Sequence, residues 1–136
     1  MPDQSMQAQI SDFVNRRVWA VVGASQNPAK YGHKIVQSLH RAGYTIYPVN
    51  PRGGEIEGLK VYSSLAALPQ MPDVVDVVGP PAVTEQVVRE IHALGVTRVW
   101  MQPGAESEVA IQFCHEHGMD VVHRACAMVH KRRWDA

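Results

Sequence analysis

Three stretches of the chain repeat one pattern: apolar residues at helical spacing, a glycine, then a short β-branched run. In Tyr31–Ala42 the residues Ile35, Val36, Leu39 and Ala42 share one helical face, Gly43 follows, and Thr45-Ile46-Tyr47-Pro48-Val49 reads as a strand. In Val83–Leu94 the face is Val83, Val87, Val88, Ile91 and Leu94, with Gly95 and then Arg98-Val99-Trp100-Met101 behind it. In Ser107–His117 the face is Val109, Ala110, Phe113 and Cys114, followed by Gly118 and Met119-Asp120-Val121-Val122. These spacings fit the 3.6-residue period of a helix. A glycine behind each one suits the left-handed turn that ends a helix. Two more runs, Arg17–Val22 and Val74–Val78, are almost continuously apolar, as strands buried on both faces of a parallel sheet are. Ahead of them Met6, Ile10, Phe13 and Val14 mark an amphipathic helix.

Strands alternating with helices predict an α/β fold, a Rossmann-like three-layer sandwich with a parallel sheet of about five strands. The stretch Pro51–Leu68 breaks the pattern. It holds Gly53, Gly54 and Gly58 and is read as irregular, with a short helix at Ser63–Ala67. The basic run Lys131-Arg132-Arg133 reads as a solvated end. At 136 residues the chain has room for one core, so residues 1–136 are expected to form a single domain.

Composition narrows the choice of partner. Apolar residues are 46% and charged residues 19%, a balance that folds. Lys plus Arg is 13 and Asp plus Glu is 13, so the formal net charge is zero. A general nucleic-acid binder carries a basic excess, and none is expected here. Any anion must be held locally. Two cysteines, Cys114 and Cys126, are too few for a disulfide scaffold or a four-cysteine zinc site. Met1–Ser5 is polar, with no apolar signal core, and the longest apolar runs are too short to span a bilayer. A cytoplasmic protein without a membrane partner is expected.

In a parallel α/β sheet, ligands sit over the carboxyl ends of the strands. Four loops lie there: Gly23-Ala24-Ser25-Gln26-Asn27-Pro28, Asn50-Pro51-Arg52-Gly53-Gly54, Gly79-Pro80-Pro81 and Gln102-Pro103-Gly104-Ala105. In the first, small residues let backbone N–H groups approach an anion in front of a helix N-terminus. Ser25 adds a hydroxyl there, and Lys30 and Lys34 add charge. The spacing is not Gly-x-Gly-x-x-Gly, since Pro28 intervenes and the next glycine is Gly32. The second loop argues against NAD, which calls for a carboxylate on its ribose at the end of strand two. Here no carboxylate occurs before Glu55, and Arg52 offers a phosphate-binding fork instead. That suits a ribose bearing an extra phosphate, as in NADP or coenzyme A. In the third loop Pro80-Pro81 starts a helix and offers a stiff wall.

Catalytic constellations are scarce. His115-Glu116-His117 has the wrong spacing for metal ligands on one helical face, and His123-x-x-Cys126 supplies two ligands at most. The seven histidines are read as surface or capping residues. Cys114 is read as core. Asp73 and Asp76 are read as turn-capping and edge residues beside a buried strand. There is no Gly-x-Ser-x-Gly elbow.

Taken together, Val22-Gly23-Ala24-Ser25, Lys30-Tyr31-Gly32, Tyr47-Pro48-Val49-Asn50-Pro51, Gly53-Gly54-Glu55-Ile56, Val78-Gly79-Pro80-Pro81 and Trp100-Met101-Gln102-Pro103-Gly104-Ala105 resemble the small stand-alone CoA-binding proteins. That family is similar to the N-terminal domain of the succinyl-CoA synthetase alpha subunit. The resemblance runs from about Val18 to Met128. It implies a Rossmann-like fold holding coenzyme A or an acyl-CoA, with Gly23, Ala24 and Ser25 about the diphosphate and Pro28, Lys30 and Tyr31 also among the cofactor-binding residues. It implies Asn50 and Arg52 near the phosphates, where the synthetases carry a lysine. It also implies Gly79, Pro80 and Pro81 along the nucleotide and Gln102 in the crevice. Cys126 stands where the synthetases have a cysteine, near enough to a CoA thiol to suggest a mixed disulfide.

The synthetases place their phosphorylated histidine on a second domain and need a partner subunit. The resemblance therefore carries over binding and not the ligase reaction. Two function classes stay open. One is a CoA-binding module without catalysis, acting as carrier, sensor or partner of an acyl-CoA enzyme, alone or as a homodimer. The other is a small NADP-dependent oxidoreductase.

Overall fold

Parallel strand pairing follows from the connections, because each apolar strand feeds a helix that returns the chain to the sheet's starting edge. The computed structural model describes residues 4–134. In order come α1 (Gln4–Val14), β1 (Val18–Val22), α2 (Tyr31–Arg41), β2 (Thr45–Val49), β3 (Glu55–Ile56), β4 (Leu59–Lys60), β5 (Val74–Val77), α3 (Pro81–Leu94), β6 (Arg98–Met101), α4 (Glu108–Glu116), β7 (Asp120–Val122) and α5 (Ala127–His130). One 3₁₀ turn, Leu65–Ala67, falls within the predicted short helix. The main sheet has five strands in the order β2-β1-β5-β6-β7, and all its pairs are parallel. This is the predicted Rossmann-like sandwich.

Side chains alternate between the faces of the sheet. Trp19, Val21, Val74 and Trp100 pack with Phe13 of α1, Ile35, Val36 and Leu39 of α2 and Ala127 of α5. Ala20, Val75, Val77, Val99 and Met101 pack with Val87, Val88 and Ile91 of α3 and Ala110 and Cys114 of α4. Trp19 and Trp100 meet at the centre of the first layer, with ring centroids 5.6 Å apart. Strand order reverses between β1 and β5, so the loops leaving these two strands run in opposite directions. A crevice opens between loops that diverge in this way.

Several expectations need correcting. Val83 and Val109 do not face inward; they are 41% and 59% exposed. The buried stripe of α3 is Thr84, Val87, Val88 and Ile91, and that of α4 is Ala110 and Cys114. Each misplaced valine directly precedes its stripe, about 100° around the helix from it. The region read as irregular contains an antiparallel hairpin, with Glu55 opposite Lys60 and Ile56 opposite Leu59. Asp76 is neither an edge nor a turn residue. It lies inside β5, between Val21 of β1 and Trp100 of β6, and is fully buried. Asp73 does not cap a local turn either: its Oδ2 accepts the Val18 N–H at 3.2 Å and its own N–H donates to the Val18 carbonyl at 2.8 Å, which ties the start of β5 to the start of β1.

The basic end is not merely solvated. The Arg132 N–H donates to the Tyr44 hydroxyl at 3.0 Å, the Trp134 N–H donates to the Ala42 carbonyl at 2.8 Å, and the Arg132 guanidinium lies over the Trp134 ring. No helix among the described residues is long and apolar enough to cross a membrane.

Candidate anion-binding site at the strand ends

The first loop is seated by close backbone packing at two glycines. A β carbon on Gly23 would lie 2.0 Å from the Val78 carbonyl oxygen, and one on Gly32 would lie 2.1 Å from the Gly23 carbonyl oxygen. Gly23 also has φ +94°, a conformation that L side chains disfavour. Its backbone therefore lies wedged between the end of β5 and the first turn of α2. Gly32 thus does the close helix–strand packing that the third glycine of a dinucleotide fingerprint does.

The second loop is tied to the first by side chains. Asn50 Nδ2 donates to the Ala24 carbonyl at 2.7 Å, while Asn50 Oδ1 accepts the Arg52 N–H at 2.9 Å. Gln26 Nε2 donates to the Gly53 carbonyl at 3.3 Å. Ser25 Oγ accepts the Asn27 N–H at 3.1 Å, and His33 Nδ1 lies 2.9 Å from the Ser25 carbonyl, to which it must donate.

Between the loops is an open cleft of about 240 Å³, lined by Ala24, Ser25, Gln26, Asn27, Asn50, Arg52, Gly53 and Val61. None of these residues is acidic. Among the described residues, no acceptor pairs with the exposed Arg52 guanidinium. α2 begins a few residues beyond Asn27 of the lining, with Lys30 as its N-cap, no side-chain cap and no acidic residue in its first turn. The Lys30 and His33 N–H groups donate to the Asn27 and Lys30 carbonyls, while those of Tyr31 and Gly32 have no acceptor among the described residues and, with the helix dipole, favour an anion.

Of the twelve residues implied for the site, Ala24, Ser25, Asn50 and Arg52 line this cleft. Gly23 is not in the lining; it packs against the end of β5 one residue before Ala24. Pro28 and Lys30 are exposed on the way into α2, and Tyr31 is half-buried as its first residue. Gly79, Pro80 and Pro81 sit at the end of β5, outside the lining, with Pro80 as N-cap of α3. Gln102 is fully buried rather than open to the crevice. Gln26, Asn27, Gly53 and Val61 also line the cleft and are not among the twelve, because only the folded loops bring them together.

Gln102 anchors a polar chain beneath the strand ends. Its Nε2 donates to both Asp76 carboxylate oxygens at 2.8 Å, and its Oε1 accepts the Ala127 N–H at 3.3 Å. The Tyr31 hydroxyl reaches the same Oε1 at 3.4 Å and lies 2.7 Å from Cys126 Sγ. Burial pushes the Asp76 carboxyl up to about 8, against the opposing pull of the Gln102 hydrogen bond. Burial and the Cys126 contact also raise the Tyr31 hydroxyl.

An acid raised in the folded state binds a proton that the unfolded chain has already lost. Asp76 should therefore cost stability as pH rises from about 4, and the loss should level off above about 8. Unfolding free energies from urea titrations should fall more from pH 5 to pH 9 for wild type than for Asp76→Asn, by several kcal/mol. Equal pH dependence in the two proteins would show that Asp76 does not hold its proton.

A parallel doubly wound sheet with an uncapped helix and a free guanidinium at its carboxyl edge defines a domain of the nucleotide-binding class. The chain belongs to the CoA-binding domain family, whose model matches residues 17–132. The Bacillus subtilis protein YneT is 32% identical, over 90% of this chain and 91% of that one. The alpha subunit of a Pyrococcus furiosus ADP-forming acetate–CoA ligase (form II) is 30% identical, over 84% of this chain. The chain spans only 27% of that ligase subunit. A solved structure of a conserved hypothetical protein from Pyrococcus furiosus matches with a TM-score of 0.80 and 46% identity, covering 83% of this chain and 97% of that one.

Proposed function

We propose that the protein binds coenzyme A, with the phosphate-bearing end of the cofactor in the cleft between Gly23–Lys30 and Asn50–Gly54. The observation that carries this reading is the unpaired Arg52 guanidinium in a cleft lined by Ala24, Ser25 and Asn27 and free of acidic residues. Backbone N–H groups near Ala24 and the Ser25 hydroxyl serve the diphosphate, with Lys30 adding charge at the rim. Arg52 serves a phosphate at the far side, and Asn50 holds the two loops at their spacing. The cleft is smaller than the roughly 300–1,000 Å³ of pockets that enclose whole drug-sized ligands. The rest of an extended cofactor then runs toward the crevice between β1 and β5, along Pro28, Tyr31, Gly79, Pro80 and Pro81. Gln102 supports the floor of that crevice and does not touch ligand.

The role that follows is binding without chemistry: a carrier, a sensor, or a partner of an acyl-CoA enzyme. A ligand that binds only the folded state stabilises it by about 2.7 kcal/mol at a hundred times its Kd. Saturating CoA should therefore raise the Tm by several degrees. NAD at the same concentration should leave it unchanged. A Tm indifferent to CoA would remove the proposal.

A further inference from the structure

α3 and α4 cover one face of the sheet, and their own outer surface is exposed. A shallow groove of about 390 Å³ runs between them, lined by Arg89, Glu108, Val109, Gln112, Phe113 and Glu116. Val109 is 59% exposed there and Phe113 is half-buried. The Arg89 guanidinium lies over the Phe113 ring, 5.2 Å from its centroid. Among the described residues no carboxylate pairs with Arg89 and no cation pairs with Glu108. Glu116 accepts from the Gln112 amide at 3.3 Å, one turn beyond Phe113.

The order of these groups along the groove is what selects an occupant. Val109 and Phe113 are four residues apart, so they lie one above the other on α4. Glu108 adjoins Val109, and Arg89 covers Phe113. The surface therefore has an aliphatic end with an unpaired negative charge and an aromatic end with an unpaired positive charge. Half a turn about an axis between Val109 and Phe113 exchanges the two ends. A second copy placed by that axis sets each Val109 on the partner's Phe113 and each Glu108 against the partner's Arg89. Every contact then occurs twice, as in an isologous interface. A partner of a single charge sign fits less well, because it would leave either Arg89 or Glu108 desolvated beside a like charge.

We propose that the α3–α4 surface is a two-fold interface with a second copy of this chain, fixed by Val109 on Phe113 and Glu108 on Arg89. The residues lining the strand-end cleft lie on neither helix. The dimer therefore leaves both clefts open, and its existence does not depend on what the cleft binds.

Sedimentation equilibrium of the full chain, from about 1 to 500 µM, tests this. The mean mass should climb from that of one chain toward that of two. Arg89→Glu and Glu108→Arg should each weaken self-association at least tenfold, because like charges then meet across the axis. Mixed in equal amounts, these two variants should associate as wild type does, since each supplies the charge that the other lacks. Val109→Asp, which buries a charge against the partner's Phe113, should also dissociate the dimer. All three side chains are exposed, so the Tm of each dilute variant should match that of dilute wild type. Three outcomes overturn the proposal. A wild type that stays a single chain at every concentration gives this surface to solvent or to a different protein. Variants that associate as tightly as wild type move the interface elsewhere. A mixture that stays as dissociated as its two components removes the two-fold pairing.

Discussion

Gly23→Ala should cost the fold about 2–4 kcal/mol and lower the Tm by roughly 6–15 °C. Two separate terms add. The first is backbone strain, since φ is +94° at this position. The second is a collision with main chain, because the new β carbon would sit 2.0 Å from the Val78 oxygen and 2.9 Å from the Val78 carbonyl carbon. The end of β5 cannot simply withdraw, because the Val78 N–H is donated to the Val22 carbonyl at 2.8 Å. Gly104→Ala supplies the control. Its φ of +93° is nearly the same, yet nothing lies within 4 Å of the added carbon. It should cost about 1 kcal/mol, the strain alone. Thermal denaturation of the two variants measures the difference, and equal losses would show that the close approach of Gly23 to β5 is not what seats the loop.

Arg52→Ala should weaken CoA binding by roughly ten- to hundredfold, from the loss of charge-assisted bonds worth about 1.5–3 kcal/mol. Folding should be almost untouched, because the exposed side chain has no partner among the described residues. Dephospho-CoA resolves which phosphate is held. If Arg52 binds the ribose phosphate, wild type should prefer CoA over dephospho-CoA and the variant should not. If Arg52 binds the diphosphate, both ligands should weaken together. A variant that binds both as wild type does would make Arg52 a solvated loop charge.

The sheet and its helices were legible because their signal is local. Runs such as Val18–Val22 and Val74–Val78 are apolar enough to declare buried strands, and the stripe Ile35, Val36, Leu39 repeats at helical spacing. The hairpin was not legible, because strands of two residues are too short to display alternation. Asp76 read as an edge or turn residue, since its partner Gln102 is 26 residues away and meets it only once β5 and β6 pair. The same holds for the cleft. Ser25, Asn50 and Arg52 could be found by reading loops after strands, whereas Gln26 matters only because folding lays it against Gly53. The chain's end deceived for another reason: a basic run reads as solvated, and the stacking of Arg132 on Trp134 depends on where Tyr44 and Gly43 place the ring.

The central claim is that the strand-end cleft is built for coenzyme A and not for a nicotinamide dinucleotide. Calorimetric titration of the purified chain with CoA, NADP and NAD tests it most directly. The account predicts saturable one-site binding of CoA, with NADP and NAD much weaker. Tight binding of NADP with no heat from CoA would contradict it.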